Sequence, residues 1–189
     1  IPPYGLRDDE GNPIPWESCV TLNNNWGYAA ADHHYKTSKM VIHMLVECVS
    51  KGGNLLLNVG PNARGQFPEE SVRILKEIGA WMKNNHDSIY GCGLPDLEKP
   101  EWGRYTRRGN HLYAHVMEAQ AGAICLPGLA GRVARIRLLA DGSEIRQSDY
   151  WNLKEYGENA FFFLNPDTAD CYPLPDEKDT VVEILLKKA

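Results

Sequence analysis

Ser50 to Phe67 reads SKGGNLLLNVGPNARGQF, and the reading of this stretch decides the fold. Lys51, Gly52 and Gly53 end a helix, because glycine accepts the left-handed backbone that terminates one. Leu55 to Val59 is an almost unbroken apolar run, and Gly60 and Pro61 stop it ahead of a looser polar loop. The pattern predicts a helix, a strand buried on both faces, and then a functional loop. Such a strand belongs to a parallel sheet covered by helices, where ligands sit beyond the carboxyl ends of the strands. The chemistry is therefore expected near Asn58 and the loop after it.

Just upstream, Thr37 or Ser38 caps a helix whose Val41, Met44, Leu45, Cys48 and Val49 recur at helical spacing and form its core-facing stripe. Downstream, Pro68 suits a first helical turn, Glu69 and Glu70 complement the helix dipole, and Ile74, Leu75, Ile78, Trp81 and Met82 form a buried face. Further back, Glu17 to Leu22 suits a strand and Asn23 to Asn25 a turn, which puts Trp26 just past that strand's carboxyl end. Ile1 to Pro15, with four prolines and two glycines, is a loop. Strand, helix, strand, helix is the rhythm of an α/β barrel's closing units, and these occupy residues 1–94.

From Leu94 the character changes. Pro95 and Pro100 flank a linker, and short β-rich runs follow at Arg104–Arg107, Leu112–Met117, Ile124–Leu126, Val133–Leu139, Ala160–Leu164 and Val181–Leu186. Gly109-Asn110, Pro127-Gly128 and Asp141-Gly142 supply turns, so residues 95–189 read as an antiparallel β-sandwich. The expected class is α/β plus all-β.

The 189 residues fall short of a complete (β/α)₈ barrel, which takes ~250. A net charge of -5 argues against nucleic acid, and no apolar run is long enough to span a bilayer, so a neutral, sugar-like partner fits better. The chain begins with isoleucine rather than methionine, which reads as removal of an upstream segment. Cys19, Cys48, Cys92, Cys125 and Cys171 are scattered with no C-x-x-C pair, which reads as buried, reduced thiols. That favours a cytoplasmic setting and leaves a secreted or periplasmic one open.

Four blocks now come together: Trp16-Glu17-Ser18-Cys19, Asn25-Trp26-Gly27-Tyr28, Val49 to Pro61 and Ser88-Ile89-Tyr90-Gly91. In this order they resemble the alpha-L-fucosidases of glycoside hydrolase family 29, over the carboxyl-terminal part of such enzymes. The resemblance implies the end of a TIM barrel followed by a β-sandwich. It also implies a retaining hydrolysis of terminal alpha-L-fucose from fucosylated glycans, with an aspartate nucleophile, a second carboxyl as acid and base, and neither metal nor cofactor. No counterpart of the nucleophile-bearing region is found, so the chain alone is expected to be inactive and to associate with the rest of its own enzyme or with another copy of itself. A carbohydrate-binding module and a non-catalytic assembly fragment are the alternatives.

Trp26 is the leading ligand contact: its ring can lie against a sugar's apolar patch, and burying the fucose methyl contributes about 0.8 kcal/mol. By resemblance, the aromatic before Gly-Tyr lines the fucose pocket. Asn58 either orders the neighbouring loop or touches ligand, with loop ordering favoured. Glu17 tempts as an acid/base carboxylate, but it begins its strand, more than ~10 Å from the far end at ~3.3 Å per residue. A buried, hydrogen-bonded structural role is expected of it instead. By resemblance the acid/base group comes from a loop ahead of the Trp-Glu motif, with Asp8, Asp9 and Glu10 as fallback candidates. Asp32-His33-His34 lacks a second ligand cluster and reads as a solvated approach to a helix. His43, His86, His111 and His115 are isolated. Trp151, Tyr156 and Phe161 to Phe163 read as sandwich core.

Overall fold

The computed structural model describes residues 1–149, 155–164 and 173–188. Two strands, β1 (Glu17–Thr21) and β2 (Asn54–Asn58), pair in parallel, with Glu17 opposite Asn54 and Thr21 opposite Asn58. Between them runs helix α1 (Ser38–Ser50), whose first turn is capped by the Thr37 hydroxyl accepting from the Met40 backbone amide. Gly52, at φ +73°, supplies the left-handed exit that returns the chain to β2. Helix α2 (Glu69–Asn85) follows, with Glu69 and Glu70 in its first turn.

The remaining strands are β3 (Gly103–Arg108), β4 (His111–Val116), β5 (Ile124–Leu126), β6 (Val133–Leu138), β7 (Glu144–Ile145), β8 (Ala160–Phe162) and β9 (Thr180–Leu186). Five of them form an antiparallel sheet in the order β3-β4-β9-β6-β7, and β5 pairs with β8 in a second, two-stranded sheet. Leu112, Ala114, Val116, Ile136, Val182 and Ile184 of the large sheet meet Ile124, Leu126 and Phe162 of the small one in one apolar core. Two antiparallel sheets closing on such a core have the form of a β-sandwich.

The other face of the large sheet is covered by the helices. Tyr113 and Val181 pack with Ile42, Val46 and Val49 of α1 and Trp81 of α2. This widens the expected α1 stripe: Val41, Cys48 and Val49 are buried as expected, and Ile42 and Val46 are fully buried as well, because α1 lies between the parallel pair and the large sheet and so buries two sides. Polar bonds reinforce the contact. His115 and Asp179 have side chains at 0% exposure and meet at 2.6 Å through Nδ1 and Oδ2. The Thr106 hydroxyl donates to the Ser88 carbonyl and contacts His115 Nε2 at 3.1 Å, while Trp81 Nε1 donates to the Asp179 carbonyl. His115 is thus not isolated, and neither is His43, bonded to the Lys178 carbonyl, nor His111, bonded to Glu183.

The parallel pair differs from expectation on one face. Leu55, Leu57 and Val59 pack under α1 and α2 with Leu22, Val41 and Ile74. The alternate residues point the other way, and there Leu56 is 48% exposed and its neighbour Cys19 is exposed as well. The apolar run is therefore covered on one side only, because among the described residues no element packs against the other. Cys19 is a free surface thiol rather than a buried one, and Cys171 lies outside the described residues. Trp151 lies outside them too; Phe162 is core as expected, whereas Tyr156 is exposed.

Candidate active site

The carboxyl ends of β1 and β2 meet where the Leu22 amide donates to the Asn58 carbonyl at 3.1 Å. From this junction the chain leaves β1 into a long loop, Asn23 to Lys36, that returns when the Lys36 amide donates to the Leu22 carbonyl at 2.8 Å. Lys36 Nζ adds bonds to the carbonyls of Thr21 and Asn23, closing the base of the loop. Trp26 stands on it, 58% exposed.

Three contacts fix the loop. Asn58 Nδ2 donates to the Trp26 carbonyl at 2.7 Å. Gly60 lies so close to the loop backbone that a Cβ there would come within 2.5 Å of the Gly27 carbonyl carbon and 2.7 Å of the Tyr28 nitrogen. Asp32 closes the loop from within: it accepts from the Asn24 amide at 2.9 Å, the Asn25 side-chain amide at 2.7 Å and the His34 amide at 3.0 Å. The His34 backbone bond leads the causes that hold the Asp32 carboxyl below its usual range. Asp32 is buried while His33 and His34 are exposed, which corrects the solvated reading of all three. The sequence reading assigned neither Asp32 nor Gly60 to the site, placing the first on a solvated approach to a helix and the second at the end of a strand. The one local sign was an aspartate two residues before the amide it caps, the spacing of an Asx turn.

The candidate carboxylates lie elsewhere. Glu17 opens β1 opposite Asn54 and is exposed, so the expected burial is not found; its side of the pair is the open one. Asp8 is spent on its own turn, accepting from the Asn12 amide at 2.7 Å and the Glu10 amide at 3.0 Å, and the Asn12 side chain does most to hold its carboxyl below the ordinary value. Asp9 and Glu10 are exposed in that turn. The segment carrying them packs at the amino ends of the strands, where Gly5 abuts the Lys51 carbonyl and the Trp16 ring. A groove of about 410 Å³ opens at that end, lined in part by Tyr4, Lys51, Leu97, Arg104 and Tyr105.

The described residues thus bring Trp26, Asn58 and Gly60 together and do not bring Glu17, Asp8, Asp9 or Glu10 to them. No group of three or more His, Cys, Asp or Glu side chains among the described residues is arranged to hold a metal ion. Asp32 has its oxygens engaged, so the arrangement can grip an apolar sugar face but offers no free pair of carboxyls for proton transfer.

The model of the alpha-L-fucosidase family matches residues 5–87. An alpha-L-fucosidase of Dictyostelium discoideum is 34% identical over 121 residues, 61% of this chain and 25% of its own length. The solved alpha-L-fucosidase isoenzyme 1 of Paenibacillus thiaminolyticus is 53% identical with a TM-score of 0.92, and the match covers all of this chain and 44% of that one. A Bacteroides thetaiotaomicron GH29 alpha-L-fucosidase, solved as a trapped covalent intermediate with 2-fluoro-fucosyl fluoride, is 27% identical with a TM-score of 0.77, covering 96% of this chain and 40% of that one. The chain therefore spans about a quarter of the Dictyostelium relative and less than half of either solved enzyme. Within that span it is similar to the alpha-L-fucosidases of glycoside hydrolase family 29.

Proposed function

We propose that this chain forms one wall of the active site of a retaining exo-alpha-L-fucosidase acting on terminal alpha-L-fucose of glycans. The observation that carries the reading is the exposed Trp26, locked by hydrogen bonds at the carboxyl ends of a parallel β/α pair, the end at which such folds bind ligand. In this reading residues 1–94 are the closing part of a (β/α)₈ barrel and residues 95–189 a β-sandwich domain. Trp26 takes the apolar face and methyl of fucose, and Asn58 serves the site through the Trp26 carbonyl. The trapped covalent intermediate of the Bacteroides enzyme supports a double displacement in which a carboxylate attacks the anomeric carbon and water later releases the sugar with retained configuration. Both the nucleophile and the acid/base group are assigned to polypeptide beyond this chain, since none of the described carboxylates lies with Trp26 and free to act.

The open face of β1 and β2 supports the corresponding proposal about assembly. Leu56 and Cys19 sit where a barrel would place opposing strands, and an exposed apolar strand face invites pairing. The rest of the enzyme is the natural cover, with a second copy of the chain as the substitute. Leu56→Lys, rather than a change at Leu57 on the helix-covered face, is the probe, read by light scattering over a concentration series.

The catalytic reading is tested with an aryl alpha-L-fucoside. The longer protein containing this chain is expected to hydrolyse it with retention, and the 189-residue chain alone is expected to give no turnover. Robust turnover by the isolated chain, free of longer enzyme, would overturn the assignment of roles.

A further inference from the structure

We infer that Asp32 is the residue that positions Trp26 for its ligand, an inference that rests on the fucosidase reading only for the identity of the sugar. A loop aspartate ordinarily faces water. Asp32 is instead 8% exposed, and both of its oxygens point into its own loop. Oδ2 gathers the Asn24 backbone amide and the Asn25 side chain, the two residues immediately before Trp26. Oδ1 takes the His34 amide, with His34 Nδ1 at 3.5 Å, and so ties the outgoing limb of the loop to the returning one.

Trp26 is then held from both sides. Before it stands the Asp32 clamp; at Trp26 itself Asn58 grips the carbonyl, and after it Gly60 receives the Gly27–Tyr28 backbone. The result is a backbone held under an exposed ring by the chain's own contacts, and such preorganisation lowers the entropy lost on binding. The clamp needs a carboxylate. Three N–H donors converge on Asp32, and an asparagine would turn its own NH₂ against at least one of them. Charge-assisted bonds of this kind are also stronger than neutral ones. Because a ring stacked on the sugar holds substrate and transition state alike, loss of the clamp should raise KM and leave kcat nearly unchanged.

The test uses the 189-residue chain labelled with 5-fluorotryptophan and read by fluorine NMR, with the Trp26 resonance assigned through Trp26→Phe. Asp32→Asn is expected to shift or broaden the Trp26 line while the lines of Trp16 and Trp81 stay in place and the melting curve remains cooperative. Asn25→Ala, a change at an exposed residue that removes one donor from Oδ2, is expected to move the same line in the same direction by less. It carries the test even if Asp32→Asn fails to fold. In the longer enzyme, Asp32→Asn should raise KM for an aryl fucoside roughly tenfold or more with little change in kcat, within the range that small misplacements of binding groups produce. An unmoved Trp26 line in folded Asp32→Asn, or movement of all tryptophan lines together, overturns the inference. If the Trp26 line moves as expected but added L-fucose perturbs it in no variant, wild type included, the positioning role stands and the fucose reading falls.

Discussion

Strand β2 and strand β9 are both apolar runs, and the molecule treats them differently. β9 lies between β4 and β6, with the sandwich core on one face and the helices on the other, and six of its seven residues are buried. β2 has a single partner and one covered face, leaving Leu56 half exposed. An apolar run therefore states what cover a strand requires, and the packing decides whether the cover is there. The same contrast separates the two ends of the parallel pair: its open face is unguarded, whereas its carboxyl-end loops are tied by Asp32, Asn58 and the Gly60 contact.

The largest effect is expected where the helices meet β9. His115→Ala would leave the Asp179 carboxylate uncompensated at 0% exposure, and unfolding by urea should show a loss of about 3–5 kcal/mol. Next come paired truncations that oppose the two strands directly. Ile184→Ala in β9 should cost about 2–5 kcal/mol, and Leu56→Ala in β2 should stay within about 0.5 kcal/mol in the monomer. Equal losses at the two sites would mean that β2 is covered after all. Gly60→Ala should cost about 1–3 kcal/mol by overpacking, and the displacement should appear at the Trp26 fluorine resonance, because the nearest atoms are the backbone of Gly27 and Tyr28.

The smallest expected effect is on pH dependence. The folded Asp32 carboxyl is held below its ordinary value of 3.8, led by the His34 backbone bond and with partial burial opposing. A depressed folded value means that the clamp's contribution is complete above the unfolded value and is lost as pH falls through the folded one. His34 Nδ1 lies 3.5 Å from Asp32 Oδ1, so the profile is read in a His34→Ala background, which keeps the backbone amide that Asp32 accepts from. The Trp26 resonance should thus hold its position on acidification to pH 3.8 and move only below it; movement that begins well above 3.8 would assign the clamp to another group.

Local chemistry made the parallel pair, both helices and most of the antiparallel strands legible in the sequence, because Thr37, Gly52, Pro68 and the apolar spacings act within a few residues of themselves. What stayed hidden depends on distant partners. Ile42 and Val46 are buried because α1 has two neighbours, and His115 finds Asp179 across 64 residues. Glu17 and Leu56 are exposed because the described residues place nothing against them. At the site, the placement of Trp26 past the end of β1 and of Asn58 at the last position of β2 followed from the turn and strand signals. The burial of Asp32 did not, since its donors are gathered only once the loop has closed.

The proposed function places the sugar at the carboxyl end of the parallel pair. Inhibition constants for a fucose-like inhibitor, measured on the longer enzyme carrying Trp26→Ala or Glu17→Gln, test this most directly. Trp26→Ala is expected to weaken the inhibitor, and Glu17→Gln, at the amino end of β1, to weaken it less. The reverse order would contradict it.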